Sequence, residues 1–179
     1  ARQWQKKVGS DKSFLWLHLF DPHDPYQRIP DIDFGRSSSD RYDASIAHMD
    51  RHLAPFLEML SSDPQSLVVL VSDHGEAFGE HGSTNHGHNV YRENAAIPMV
   101  IRWGGARPRR AAGAVSILDV LPTVVQLAGG KEAPGYGQSL VPALLGEPMD
   151  LERGVLTESY RKGQLAALST AYERLIYVQ

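Results

Sequence analysis

The sequence predicts an α/β fold, a layered and mostly parallel sheet with flanking helices, on three observations. Short apolar runs of strand length recur along the chain, and helical patterns stand between them. The loops that follow the runs are rich in Asp, His, Gly and Pro, as expected where strands end at a site.

Phe14 to Phe20 is nearly continuous in apolar character and ends at Asp21-Pro22, which suits a strand buried on both faces of a parallel sheet. His18 within it reads as a core histidine. From Asp40, a plausible N-cap, Tyr42, Ile46, Met49, Leu53, Phe56 and Leu60 recur at three or four residues and give a helix one apolar face. Pro55 falls inside this pattern and is expected to kink or interrupt the helix, since it lacks a backbone donor. His48 and His52 share one side of that helix, read as a partly exposed surface.

Leu67 to Ser72 and Pro98 to Trp103 predict a second and a third buried strand, with a long Gly- and His-rich loop between them. Asp119 is expected to cap a short helix with Pro122 in its first turn and Gly129 closing it after Leu127. Gly154 to Glu158 reads as a further strand. Leu165 to Ser169 and Leu175 to Val178 predict a small C-terminal antiparallel hairpin around Ala171 to Arg174.

The 179 residues are 42% apolar, enough to bury one sizeable core. A net charge of −3 leaves no basic stripe for phosphate contacts, so nucleic acid is not an expected partner. Arg107, Arg109 and Arg110 form one dense basic group and read as a solvated turn. No membrane segment is expected, because no apolar run approaches the roughly 20 residues that span a bilayer. The absence of Cys excludes disulfides and thiolate metal sites without deciding the compartment.

Chemistry concentrates in two places. Ser72-Asp73-His74-Gly75-Glu76 follows a predicted strand directly, so Asp73 and His74 stand where a site is expected. A carboxylate oxygen with an imidazole nitrogen makes half of a common divalent-metal shell; an N-capping Asp followed by an exposed His is the structural alternative. His81, His86 and His88 follow, interleaved with Gly75, Gly79, Gly82 and Gly87, so four of the eight histidines lie in one loop. Loops of that length usually serve a site, and glycines let the backbone wrap a ligand. The second place is Asp21-Pro22-His23-Asp24-Pro25, a proline-stiffened turn whose His23 could bind an anionic oxygen or donate a proton.

In order, F-L-W-L-H-L-F-D-P-H-D-P-Y, Y-D-A-S-I-A-H-M-D-R-H-L, V-V-L-V-S-D-H-G-E-A-F-G-E-H-G, H-G-H-N-V-Y-R-E-N-A-A-I-P-M-V-I-R, L-D-V-L-P-T-V-V-Q-L-A-G and G-Q-S-L-V-P-A-L-L-G resemble the sulfatase family of the alkaline phosphatase superfamily. The resemblance runs from about Phe14 to Gly146, and Leu165 to Tyr177 resembles the closing hairpin. It implies that residues 1–179 form the C-terminal portion of a sulfatase-like catalytic domain. Residues 1–150 would belong to the main sheet and helices, and 151–179 would begin the hairpin region.

By the same resemblance Asp73 and His74 are metal ligands, His23 is the substrate-binding histidine of an H-x-P motif, and His86 binds the transferred sulfate or phosphate. His23 and His86 are expected to converge on one cleft with Asp73. The cofactor implied is a divalent metal, Ca²⁺ for an all-oxygen shell or Mn²⁺/Zn²⁺ with His74 as ligand. A formylglycine is expected in an N-terminal half outside this sequence, which holds no C/S-x-P-S/T-R motif.

The implied substrate is a sulfate or phosphate ester, and the implied location periplasmic or secreted. D-H-G in place of the family's D-N-G also occurs in phosphonate monoester and phosphodiester hydrolases and in phosphoethanolamine-type transferases, which remain alternatives beside a non-catalytic binding module. Self-association through an exposed sheet edge is a further expectation.

Overall fold

The computed structural model describes Lys7 and residues 11–131, 133–161 and 163–178. The chain divides into two compact units, Ala1–Asp63 and Pro64–Gln179.

In the first unit one long helix, α1 (Ser38–Ser61), dominates. Its N-cap is Ser37 rather than the expected Asp40. Ser37 accepts from the Asp40 amide at 3.0 Å while the Asp40 carboxylate accepts from the Ser37 amide at 2.9 Å, a reciprocal capping box. The bonds from the Ser37 side chain and backbone hold the Asp40 carboxyl below its ordinary range. The helix continues through Pro55 without the expected interruption, since one missing donor leaves the rest of the ladder intact. Ala44, Ser45 and Phe56 are its buried residues.

Phe14 to Phe20 departs from expectation. It forms no strand, and Phe14, Trp16 and Phe20 are exposed by 72%, 79% and 67%. His18, expected in the core, is exposed too, with its ring edge-on to Phe20 at 6.3 Å. A strand that is apolar on both faces needs neighbours to ladder with, and no described strand pairs with this run.

The second unit holds β1 (Leu67–Val71) and its partner β4 (Met99–Trp103), paired from Leu67↔Trp103 to Val71↔Met99. They run antiparallel, whereas a mostly parallel sheet was expected. A parallel return needs a crossover, usually a full helix. The segment between them contains instead a two-residue hairpin, β2 (Ala77–Phe78) with β3 (Thr84–Asn85), and the four-residue helix α2 (Arg92–Ala95). The chain therefore doubles back beside β1.

The second helix expected from sequence is α3 (Val120–Leu127), with Gly129 at φ 89° just beyond it. Asp119 holds the expected N-cap position, but its side chain makes no capping bond to α3. Ser116 and Asp119 form a second capping box across the 3₁₀ turn Ile117–Asp119 that leads into α3. The carboxylate of Asp119 is fully buried and takes four donors: the amides of Ser116 and Gln138, each at 2.8 Å, and Arg153 through both guanidinium arms at 2.8 and 2.7 Å.

Thr123 donates to the Asp119 carbonyl at 2.6 Å and accepts from the Leu140 amide at 2.8 Å, at the entry to α4 (Val141–Leu145). Beyond Arg153 come β5 (Val155–Ser159), β6 (Leu165–Ser169) and β7 (Arg174–Val178), an antiparallel meander that extends the predicted hairpin by one strand.

Burial alone pushes the Asp119 carboxyl up, but the bond from Arg153, with those from Gln138 and Ser116, outweighs it and holds the group below its usual 3.8. A carboxyl lowered on folding stabilises fully above its unfolded value and loses that contribution as pH falls through the folded one. Denaturant midpoints measured from pH 7 to pH 2 should therefore drop on the acid side of pH 4, and Asp119→Asn should flatten that part of the profile. Asp119→Ala, which strands Arg153, should cost about 3–5 kcal/mol at pH 7 in the same measurement.

Candidate active site loop

The segment between β1 and β4 positions most of the candidate residues. At its start the Ser72 hydroxyl donates to the His74 carbonyl at 2.6 Å, and the Gly75 amide bonds the Asn94 carbonyl in α2 at 2.8 Å. A Cβ at position 75 would overlap the Glu93 carbonyl. The glycine of D-H-G is thus required by close approach of two backbones.

That docking holds the two predicted ligands at the surface. Asp73 is 75% exposed and His74 40%. The Asp73 Oδ1 accepts from the His74 amide at 3.0 Å, and Asp73 Oδ2 stands 3.7 Å from His74 Nε2. His74 Nδ1 lies 2.8 Å from the Gly75 carbonyl. A carbonyl only accepts, so Nδ1 carries the proton and Nε2 presents the lone pair.

Two donors on one cation, at about 2.1–2.4 Å and roughly 90–110°, stand about 3.0–3.9 Å apart. The 3.7 Å between Asp73 Oδ2 and His74 Nε2 lies within that range, so the spacing is compatible with one divalent ion between them, and the Gly75 carbonyl holds the turn of the imidazole. Among the described residues no group of three or more His, Cys, Asp or Glu is arranged to hold a metal.

His86 lies against this pair. Its ring stacks on His74, with centroids 3.9 Å apart and planes at 28°. Its Nδ1 is 3.1 Å from Oε1 of Glu76, whose side chain is only 4% exposed. The sequence reading singled out His86 but gave Glu76 no role. The signal was available in principle: Gly79 and Gly82 mark a turn, and a hairpin closing there brings positions 76 and 86 face to face.

A second carboxylate–imidazole contact sits nearby. His81 Nδ1 is 2.9 Å from Glu93, and its ring lies flat on Tyr91 at 3.9 Å and 6°. His81 and Asn85 hold φ of 52° and 63°, left-handed values uncommon outside glycine. In the same turn the Phe78 amide, first among its partners, holds the Glu80 carboxyl below its ordinary range.

The meander closes over the end of this loop. The Ser159 hydroxyl donates to the Gly87 carbonyl at 2.9 Å, and Arg174 donates to the Val90 carbonyl and, at 2.6 Å, to Ser169. Burial lowers the Arg174 pKa from its ordinary value.

His23 belongs to the first unit. It is exposed, stacks on Phe20 at 4.5 Å and 12°, and places Nδ1 2.6 Å from the Asp24 carbonyl. The hollow along α3, about 220 Å³ and lined by Pro122, Val125, Gln126 and Lys131, holds none of the candidate residues.

These placements separate stability from chemistry. Thermal or denaturant melts should show Gly75→Ala destabilised by about 1–3 kcal/mol through backbone overlap. Asp73→Ala, at an exposed position, should stay within about 0.5 kcal/mol of the native chain.

The Sulfatase family model matches residues 1–130. The chain is 25% identical to the Endo-4-O-sulfatase of Bacteroides thetaiotaomicron, over 78% of this chain and 34% of that protein. It is 34% identical to the Steryl-sulfatase of Mus musculus, over 80% of this chain and 25% of that protein. The chain thus spans about a third or less of the length of these relatives. A solved structure of a 2-O GAG sulfatase matches 82% of this chain and 35% of that one, with a TM-score of 0.61 at 20% identity, a likeness of α/β fold. With the family matched over most of its length, the chain belongs to the sulfatase family.

Proposed function

We propose that this chain is the C-terminal portion of the catalytic domain of a metal-dependent sulfuric ester hydrolase. Residues 1–150 would contribute to a larger, mostly parallel sheet and its helices, and 151–179 to the closing hairpin region. The observation that carries the reading is the pairing of Asp73 Oδ2 and His74 Nε2 at 3.7 Å, stacked against an imidazole held by a buried carboxylate.

In this reading Asp73 and His74 hold the divalent ion, Ca²⁺ or, with an imidazole in the shell, Mn²⁺ or Zn²⁺. When bound, the ion supplies Lewis-acid polarisation of the ester oxygens. The formylglycine nucleophile of the family is expected from outside these residues. His86 binds a sulfate oxygen and offsets the charge that develops there. His23, in its H-x-P motif, is proposed on resemblance as the substrate-binding histidine, with a proton for the leaving oxygen. No helix among the described residues is long and apolar enough to cross a membrane. A periplasmic or secreted location is proposed from the family.

The test is steady-state hydrolysis of an aryl sulfate by the full-length protein. Asp73→Ala and His74→Ala should each lower kcat/KM by more than the roughly 10–100-fold typical of outer-shell partners. The 179-residue chain alone should show no turnover with Ca²⁺, Mn²⁺ or Zn²⁺. Metal-dependent turnover by that chain, lost in Asp73→Ala, would show a complete site within it and overturn the half-shell reading. A full-length protein active on a phosphodiester and inert toward the aryl sulfate would overturn the substrate class.

A further inference from the structure

We propose that Glu76 is the positioning residue of the site: it fixes which nitrogen of His86 faces the reacting group and how the ring is turned. The proposal deepens the function proposed above and rests on it for the role of His86.

The hairpin supplies the geometry. β2 and β3 pair Ala77 with Asn85 and Phe78 with Thr84, so the next positions along the same register are 76 and 86. Directly opposed residues of an antiparallel pair hold their Cβ atoms about 4.5–5.5 Å apart, within reach of a carboxylate and an imidazole. The 3.1 Å contact from Glu76 Oε1 to His86 Nδ1 is the outcome.

Burial makes this contact selective. Glu76 is 4% exposed against 22% for His86, so the carboxylate is the better shielded partner and the ring is the one that meets solvent. The Glu76 carboxylate occupies the Nδ1 edge of the ring at 3.1 Å, so the ring turns its Nε2 edge toward the substrate side, where an Nε2–H can donate to a sulfate oxygen. The flat contact with His74 at 3.9 Å fixes the remaining freedom, rotation about the ring plane. His74 is held in the same way, through Nδ1 to a pure acceptor, the Gly75 carbonyl. Each of the two stacked imidazoles is therefore held at Nδ1, one by backbone and one by Glu76.

Glu76 touches neither substrate nor metal in this assignment. It acts through His86, as outer-shell carboxylates do for ligating histidines.

The first measurement uses the 179-residue chain and does not depend on activity. Ring-nitrogen NMR of ¹⁵N-histidine-labelled protein should show His86 Nδ1 protonated. Glu76→Gln, whose amide oxygen can still accept, should keep that pattern, and Glu76→Ala should lose it. The second uses the full-length protein: kcat toward an aryl sulfate should fall about 10–100-fold in Glu76→Ala with KM little changed, and at least partly recover in Glu76→Gln. An unprotonated His86 Nδ1 in the native chain, or native kcat in Glu76→Ala, overturns the proposal. Should Glu76→Ala fail to fold, the native tautomer and the kcat of Glu76→Gln against His86→Ala decide: equal loss in both variants overturns it. A full-length protein inert toward sulfate esters overturns the function above, whereas the tautomer result judges Glu76 alone.

Discussion

The buried carboxylate of Asp119 organises the second unit, because four donors from three separate parts of the chain converge on it. Ser116 sets the turn into α3, Gln138 brings in the segment that leads to α4, and Arg153 fixes the chain just before β5. Desolvating a carboxylate and a guanidinium is costly, and the bidentate geometry with two further amide donors is what offsets it. Thr123, fully buried one turn on, extends the same bonding to the Leu140 amide. With Arg153 anchored, the β5–β7 meander has a defined starting point. From it Ser159 and Arg174 reach the carbonyls of Gly87 and Val90, which flank the loop end carrying His86 and His88.

Two kinds of restraint do different work in the loop between β1 and β4. Backbone docking places the loop: Gly75 against α2, and the hairpin register that sets position 76 against 86. Pure acceptors then place the side chains, the Gly75 carbonyl for His74 and the Glu76 carboxylate for His86. Preorganisation of this sort matters for charge stabilisation, because groups already oriented need no rearrangement when charge develops. Exposure follows the division. Glu76 is shielded, while the Asp73 side chain is exposed and that of His74 partly so.

Much of this was legible in the sequence. The strands Leu67–Val71, Met99–Trp103 and Leu165–Ser169 fall within a residue of expectation, because their short apolar runs are bounded by turn formers. The end of α3 at Gly129 was legible for the same reason. The cap of α1 is Ser37, with Asp40 answering from the third position, whereas Asp119 holds the expected N-cap position of α3 while its side chain answers Ser116 across the preceding turn. Asp three residues after Ser carries that signal, and it is easily taken for the cap itself. Asp73, His74 and His86 stand out by residue type, spacing and family resemblance, and the fold stacks the last two rings at 3.9 Å.

The tertiary structure decided what those residues meet. Phe14 to Phe20 has strand composition, yet a strand exists only where a neighbour completes its ladder, and no local pattern specifies the neighbour. The direction of β4 beside β1 likewise depends on how the intervening loop folds. Sequence by itself determined the chemical groups and the approximate elements, because propensity, capping and turn residues act over a few positions. Only the fold decided that Glu76 faces His86, that Arg153 finds Asp119, and that Gly75 must lack a side chain, because each is a contact between segments whose separation along the chain carries no information about their approach in space.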